Sequence, residues 1–219
     1  MANYYGTPAI VTDGLIFAVD AGNGQSYIGS GTAAYDVINN LPLTLENGTG
    51  FDSEKGGYWT FDGSDDNITS PDNAVLEIEA VTMQCWFNFG SGAWQPYASI
   101  FGRTGGGSSP YKIRTYGGTG SDIGLQIYDS TYRQGPKLTT AGGDLSYNTW
   151  YFLSFSYDYN ASDGQRMKVY VNGVLNSQST TGGSAITTSS SETLEFMESA
   201  FDTNANMFGY LGPCVIYNR

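Results

Sequence analysis

The chain has 219 residues, with thirty glycines, seventeen tyrosines and no histidine, and its nine basic against twenty-one acidic side chains leave a formal charge of -12. Without imidazole there is no Ser-His-Asp or Cys-His nucleophilic centre, and the commonest general base and metal ligand are lost. The acidity excludes a nucleic-acid partner, since no local basic stripe offsets it, and no run approaches the roughly 20 apolar residues that cross a bilayer.

Residues 1–13 lack alternation and carry Tyr4-Tyr5-Gly6-Thr7-Pro8, which suggests an N-terminal arm lying on the domain or on a partner. Residues 14–219 read as a single domain, because neither a linker nor a 20–50-residue repeat interrupts them. Residues 14–20 read as an opening strand, 21–40 as a Gly/Ser/Asn-rich loop, and 41–45, 58–61 and 67–70 as short strands. In Val81-Thr-Met-Gln-Cys-Trp-Phe-Asn-Phe89 the odd positions are apolar, the period of a half-buried strand, and Trp86 stands on the other face. Strands at 99–103, 111–116 and 123–128 follow, separated by the glycine-rich stretches 104–110 and 117–122, which suit long exposed loops and candidate contact surface.

Further on, Trp150, Phe152 and Ser154 alternate with Tyr151, Leu153 and Phe155, and Asn160-Ala-Ser-Asp-Gly164 is a turn cluster. Met167-Lys-Val-Tyr-Val-Asn-Gly-Val-Leu175 then writes a hairpin whose Asn172-Gly173 supplies the two positive-φ positions of a type I′ turn. Gly182-Gly183 and a Thr/Ser run lead to a strand at 193–197, and residues 208–217 close the structure beside the opening strand. Short strands at close turn intervals, without a 3.6-residue apolar stripe, predict an all-β, two-sheet antiparallel sandwich with little helix. Trp59, Trp86 and Trp150 fall in strand motifs and are expected in the core. Cys85 and Cys214 sit at apolar phases and read as two buried thiols; a disulfide would need bonding geometry that sequence does not establish.

Several of these segments resemble one family. Trp59-Thr-Phe-Asp-Gly-Ser-Asp-Asp-Asn-Ile68, the strand opening on Trp150-Tyr151, the Val-Tyr-Val-Asn-Gly hairpin and the closing Leu211-Gly-Pro-Cys-Val-Ile-Tyr217 are similar to the laminin-G-like branch of the concanavalin A-like lectin/glucanase superfamily. The resemblance implies a jelly-roll sandwich. Val19-Asp-Ala-Gly-Asn-Gly-Gln-Ser-Tyr27 is similar to segments of tailed-bacteriophage structural proteins. That likeness implies a virion protein, made in the host cytoplasm, whose partners are other capsid or tail proteins, a host cell-surface polysaccharide and further copies of itself.

Candidate chemistry is sparse. Glu77-Ile-Glu79 imitates the alternating acids of glucanases but lacks a third acid and precedes its strand, so no catalytic residue is assigned. Glu192, Glu195 and Glu198 are three apart, which on an extended strand sends neighbours to opposite faces, so they are expected on a solvated edge. Asp62, Asp65 and Asp66, with Asp20 at the end of the opening strand, offer hard oxygens that Ca²⁺ accepts; the same acids also suit a turn that caps backbone amides. Trp94, Tyr97, Tyr116 and Tyr132 lie in or beside loops, where a flat ring can stack on the apolar face of a pyranose or on a protein partner. Asn47-Gly-Thr49, Asn67-Ile-Thr69 and Asn160-Ala-Ser162 match a glycosylation pattern but read as turns, and Gly105-Gly-Gly107 lacks the following lysine of a phosphate cradle. The expectation is a non-enzymatic virion module, or alternatively a free calcium-assisted carbohydrate-binding module.

Overall fold

Among the residues that the computed structural model describes, sixteen strands form two antiparallel sheets packed face to face; these residues are 10–90, 95–104, 109–117, 122–139, 143–162, 165–188, 192–199 and 206–219. The strands are β1 Leu15–Val19, β2 Ala33–Tyr35, β3 Pro42–Glu46, β4 Gly50–Asp52, β5 Tyr58–Asp62, β6 Asn67–Ser70, β7 Val81–Phe89, β8 Ala98–Thr104, β9 Tyr111–Tyr116, β10 Asp122–Tyr128, β11 Tyr132–Thr139, β12 Tyr151–Tyr157, β13 Met167–Val171, β14 Val174–Ser179, β15 Thr193–Ser199 and β16 Phe208–Tyr217. The first sheet runs β14-β13-β12-β7-β16-β5-β4, with β1 also on β16, and the second runs β11-β10-β9-β8-β15-β6-β3-β2. The all-β jelly-roll expectation is met. Of the proposed arm, residues 1–9 lie outside the described residues, and Ile10 and Val11 are exposed.

Alternating side chains build the core. Trp59, Phe61, Phe87, Phe89 and Phe155 enter it from the first sheet, and Phe101, Ile113, Leu125 and Phe196 from the second, each essentially without solvent contact. Phe17 of β1 joins the layers, its ring 6.4 Å from Phe101 and 6.3 Å from Phe196. Burying each such ring stabilises the sandwich by roughly 1.5–3 kcal/mol. Buried Asp36 ties the chain after β2 to β1, accepting N–H bonds from Ala18 at 2.6 Å, Ile38 at 3.2 Å and Asn39 at 2.6 Å.

Three strands are absent from the sequence reading. β2 lies inside the stretch read as a loop, and with Ala34 as its one buried residue it offers too short a pattern to stand out. β4 is equally short and half-buried throughout. β11 carries Pro136 and mostly polar side chains; as the terminal strand of the second sheet, it can leave the missing proline N–H unpaired. The Asn172-Gly173 turn matches expectation, with φ of 51° and 81°. Asn67 does not: it is a buried strand residue rather than part of a turn. Cys85 and Cys214 face one another across β7 and β16 as free, buried thiols, and burial raises the Cys214 thiol well above its ordinary range.

β16 has a break that shapes the surface. Its first half, Phe208–Leu211, pairs with β5, whereas Cys214–Tyr217 pairs with β1, and the register against β7 shifts between Leu211 and Cys214. Gly212 and Pro213 fill the gap. Proline brings no N–H to the ladder, and glycine lets a neighbour approach: a Cβ at Gly212 would lie 3.0 Å from Trp86 Cβ. The bulge leaves a notch in the outer face of the first sheet.

Candidate binding surfaces

Trp86 and Trp150 are not core residues. Trp59 is fully buried, but Trp86 is 42% exposed and Trp150 half-buried. Both follow from strand phase: on β7 the odd positions face inward, and along β12 the buried apolar residues are Leu153, Phe155 and Tyr157, so 86, 150 and 152 point outward. These rings flank the β16 notch, forming a cleft of about 330 Å³ lined by Lys55, Gly57, Tyr58, Trp86, Trp150, Gly212 and Pro213.

The cleft belongs to a longer aromatic band. Tyr58 stands edge-on to Trp150 at 5.2 Å and to Tyr210 at 5.6 Å, and Trp86 lies 5.6 Å from Phe152. Beyond Phe152 the surface turns hydroxyl-rich, with Thr82, Gln84, Ser154, Ser156 and Tyr170 around a second hollow. Tyr58 donates its hydroxyl to Asp52 at 2.9 Å; desolvation, then that bond, pushes its pKa up to about 12, so it stays a neutral donor. Flat rings beside neutral polar groups can hold a ligand with both an apolar face and many hydroxyls. The lining of the cleft contains no carboxylate.

The aromatics singled out in the sequence lie elsewhere. Trp94 falls outside the described residues. Tyr97, Tyr116 and Tyr132 gather on the outer face of the second sheet around Arg114, whose guanidinium carbon is 4.8 Å from the Tyr97 ring centroid and 5.4 Å from that of Tyr116. Tyr97 and Tyr132 are 40% and 49% exposed, whereas Tyr116 is buried, donates to Leu125 O at 3.0 Å and cannot stack freely on a ligand.

Asp62, Asp65 and Asp66 do converge, with ligand oxygens within 4.8 Å of one another. Asp20 is not among them; it accepts the Gly22 N–H at 2.9 Å in its own turn. Asp62 Oδ1 accepts from Ser64 N and Asp66 Oδ2 from Asp62 N, so of six carboxylate oxygens two are engaged and four remain. The carbonyls of Asp65 and Asp66 are also taken, by Asn47 and Asn206. Ca²⁺ takes six to eight oxygens, so the acids present fit a pinned turn better than a complete calcium cage. Burial raises the Asp66 carboxyl, opposed by the bond from Asp62 N.

The glutamates depart from expectation. Glu192 is buried and 3.4 Å from Arg103, so it is not on a solvated edge. Glu195 and Glu198 share a face because Met197, at φ 62°, breaks the strand alternation between them. Desolvation, then Glu195, pushes Glu198 up to about 7. A raised folded-state pKa adds stability that is complete below the unfolded pKa near 4.5 and lost as pH climbs through 7. Glu198→Gln should therefore melt higher than wild type at pH 8, with the gap closing below pH 5 in thermal scans. Glu77 lies 3.9 Å from Arg103 and Glu79 accepts the Tyr159 hydroxyl at 3.0 Å; they do not form a facing pair.

A stacked two-sheet β-sandwich with an aromatic outer face and no carboxylate in its cleft has the architecture of a lectin-like domain. The chain belongs to the concanavalin A-like lectin/glucanases superfamily, whose model matches residues 62–219. Among solved structures it is similar to domain 4 of the extracellular GH43 arabinanase AbnA from Geobacillus stearothermophilus, in complex with arabinotriose: 18% identity, TM-score 0.64, covering 93% of this chain and 91% of that one. The binding domain of botulinum neurotoxin serotype D (15%, TM-score 0.67) and that of Paraclostridial Mosquitocidal Protein 1 (14%, TM-score 0.64) also match, over 96% and 94% of this chain. This chain spans about half of those toxin chains, 50% and 49%. At these identities the likeness is one of fold. No curated protein sequence matches.

Proposed function

We propose that this protein is a non-catalytic binding module that holds a glycan on the aromatic face of its first sheet, and that it serves on a bacteriophage particle as a decoration protein or a fibre or tail component. The observation that carries the glycan reading is the exposure of Trp86 and Trp150 around the β16 notch, beside a hydroxyl-rich hollow. A pyranose offers an apolar C–H face to such rings and hydroxyls to their rim. The arabinotriose in the arabinanase domain complex favours the same ligand class. The particle setting rests on the resemblance of residues 19–27 to phage structural proteins. Mass spectrometry of purified particles tests it: stoichiometric recovery supports a structural component, and absence refutes one. A glycan array with the purified protein tests the ligand class.

The second reading, a free calcium-assisted lectin, draws on the Asp62, Asp65 and Asp66 grouping. Chelation with EDTA separates the two. With the turn acids already bonded to backbone amides, glycan affinity is expected to change less than twofold, and a loss of tenfold or more would favour the calcium reading.

A further inference from the structure

The aromatic cleft is part of a single row of residues that crosses the first sheet at right angles to its strands. Phe152 of β12 is in register with Trp86 of β7. On its other side Asn172, just past β13, donates its N–H to Phe152 O at 2.8 Å and accepts the Phe152 N–H at Oδ1 at 3.0 Å. Beyond Trp86 stand Gly212 of β16 and Tyr58 of β5, which share its cleft. The hollows join along this row. Trp86 and Trp150 line both the cleft and a neighbouring hollow of about 390 Å³ that reaches Phe152, Asn172 and Gly173, and Phe152 and Gly173 in turn border the hydroxyl-rich hollow.

A polar row runs beside the aromatic one. Gln84, Ser154 and Tyr170 are register partners on β7, β12 and β13, and Gln84 donates to Ser154 at 3.3 Å. Although the chain has twenty-one acidic and nine basic residues, every outward position of β7 and β12 is uncharged. Lys55 and Lys168 stand at the margins. Neighbouring strands lie about 4.8 Å apart, so the four intervals from β5 to β13 make the row about 19 Å long. One sugar ring covers only about one interval.

We propose that this row holds a run of about four units of a linear, uncharged polysaccharide laid across the strands, its apolar ring faces on Tyr58, Trp86 and Phe152 and its hydroxyls toward Gln84, Ser154 and Tyr170. The inference rests on the glycan reading above and adds to it the length, direction and charge of the ligand. The test is calorimetric titration of the full chain with ladders of one to six units from cellulose, xylan, mannan and arabinan, and with oligogalacturonates of the same lengths. Affinity for a neutral ladder should climb at least about tenfold from one unit to four and then level off. Tyr170→Ala, on the outer face at the end of the row away from Tyr58, should take at least about fivefold from the affinity for the four-unit member. Equal affinity for one unit and six, or tighter binding of an oligogalacturonate than of every neutral ladder, would overturn this inference and leave the glycan reading standing. Failure to bind any ladder by a protein that binds another glycan on the array would also overturn it, whereas binding to no glycan at all would defeat the reading beneath it.

Discussion

Replacing both Trp86 and Trp150 by alanine is expected to weaken glycan binding at least about 30-fold and to leave the melting temperature within a few degrees of wild type. Truncating a central aromatic anchor typically costs about 2 kcal/mol or more, and each 1.4 kcal/mol is a factor of ten in affinity. Two such rings would give about 4 kcal/mol if independent; they flank one cleft, so the smaller figure is the floor. Stability is spared because both rings lie on the outer face. Trp59→Ala is the contrasting control: that indole is fully buried between the sheets, and its removal should cost about 3–5 kcal/mol. Calorimetric titration and thermal denaturation of the three proteins separate the effects.

The second large effect is expected at Arg103. Its side chain is fully buried and donates to Asp72 and to Leu76 O, with Glu192 at 3.4 Å and Glu77 at 3.9 Å. It joins β8 to the chain before β7 and to the start of β15. Arg103→Ala should destabilise the fold by about 3–5 kcal/mol, since it removes the buried guanidinium that sits against the buried Glu192 carboxylate and Asp72. Glu77→Gln should cost less than about 1 kcal/mol, because that carboxylate is partly exposed and at the edge of ion-pair distance. Urea unfolding with unchanged slopes would measure both. An activity that vanished in Glu77→Gln would restore the catalytic reading of that residue.

The strands legible in the sequence are those with a long period-two pattern or a strong turn. β7, β9 and β16 lie where alternation places them, and the Asn172-Gly173 hairpin follows from the backbone angles its two residues tolerate. What alternation could not decide was which face of a strand meets the other sheet when both faces are aromatic. Trp86 interrupts an otherwise polar face of β7, and Trp150 shares a face with Phe152 and Ser154, so hydrophobicity alone sent both inward. The signal that could have found them is the phase itself: Met83, Cys85 and Phe87 fix the inward side of β7, which leaves position 86 outside. The convergence of Glu195 and Glu198 was hidden because it depends on one left-handed residue, Met197, for which a non-glycine side chain gives no local warning. Tyr97, Tyr116 and Tyr132 were found as aromatics, but the charged residue that unites them, Arg114, sits in a strand whose outer face is buried. Lys112, Arg114 and Tyr116 alternate along that face, and the fold covers it.

The most direct test is a two-dimensional NMR titration that follows the indole N–H signals with a glycan selected on the array. The signals of Trp86 and Trp150 should shift saturably with one dissociation constant, while that of Trp59, sealed between the sheets, stays in place. Saturable glycan binding that leaves both outer indoles unmoved would contradict the assignment of the aromatic face as the binding site.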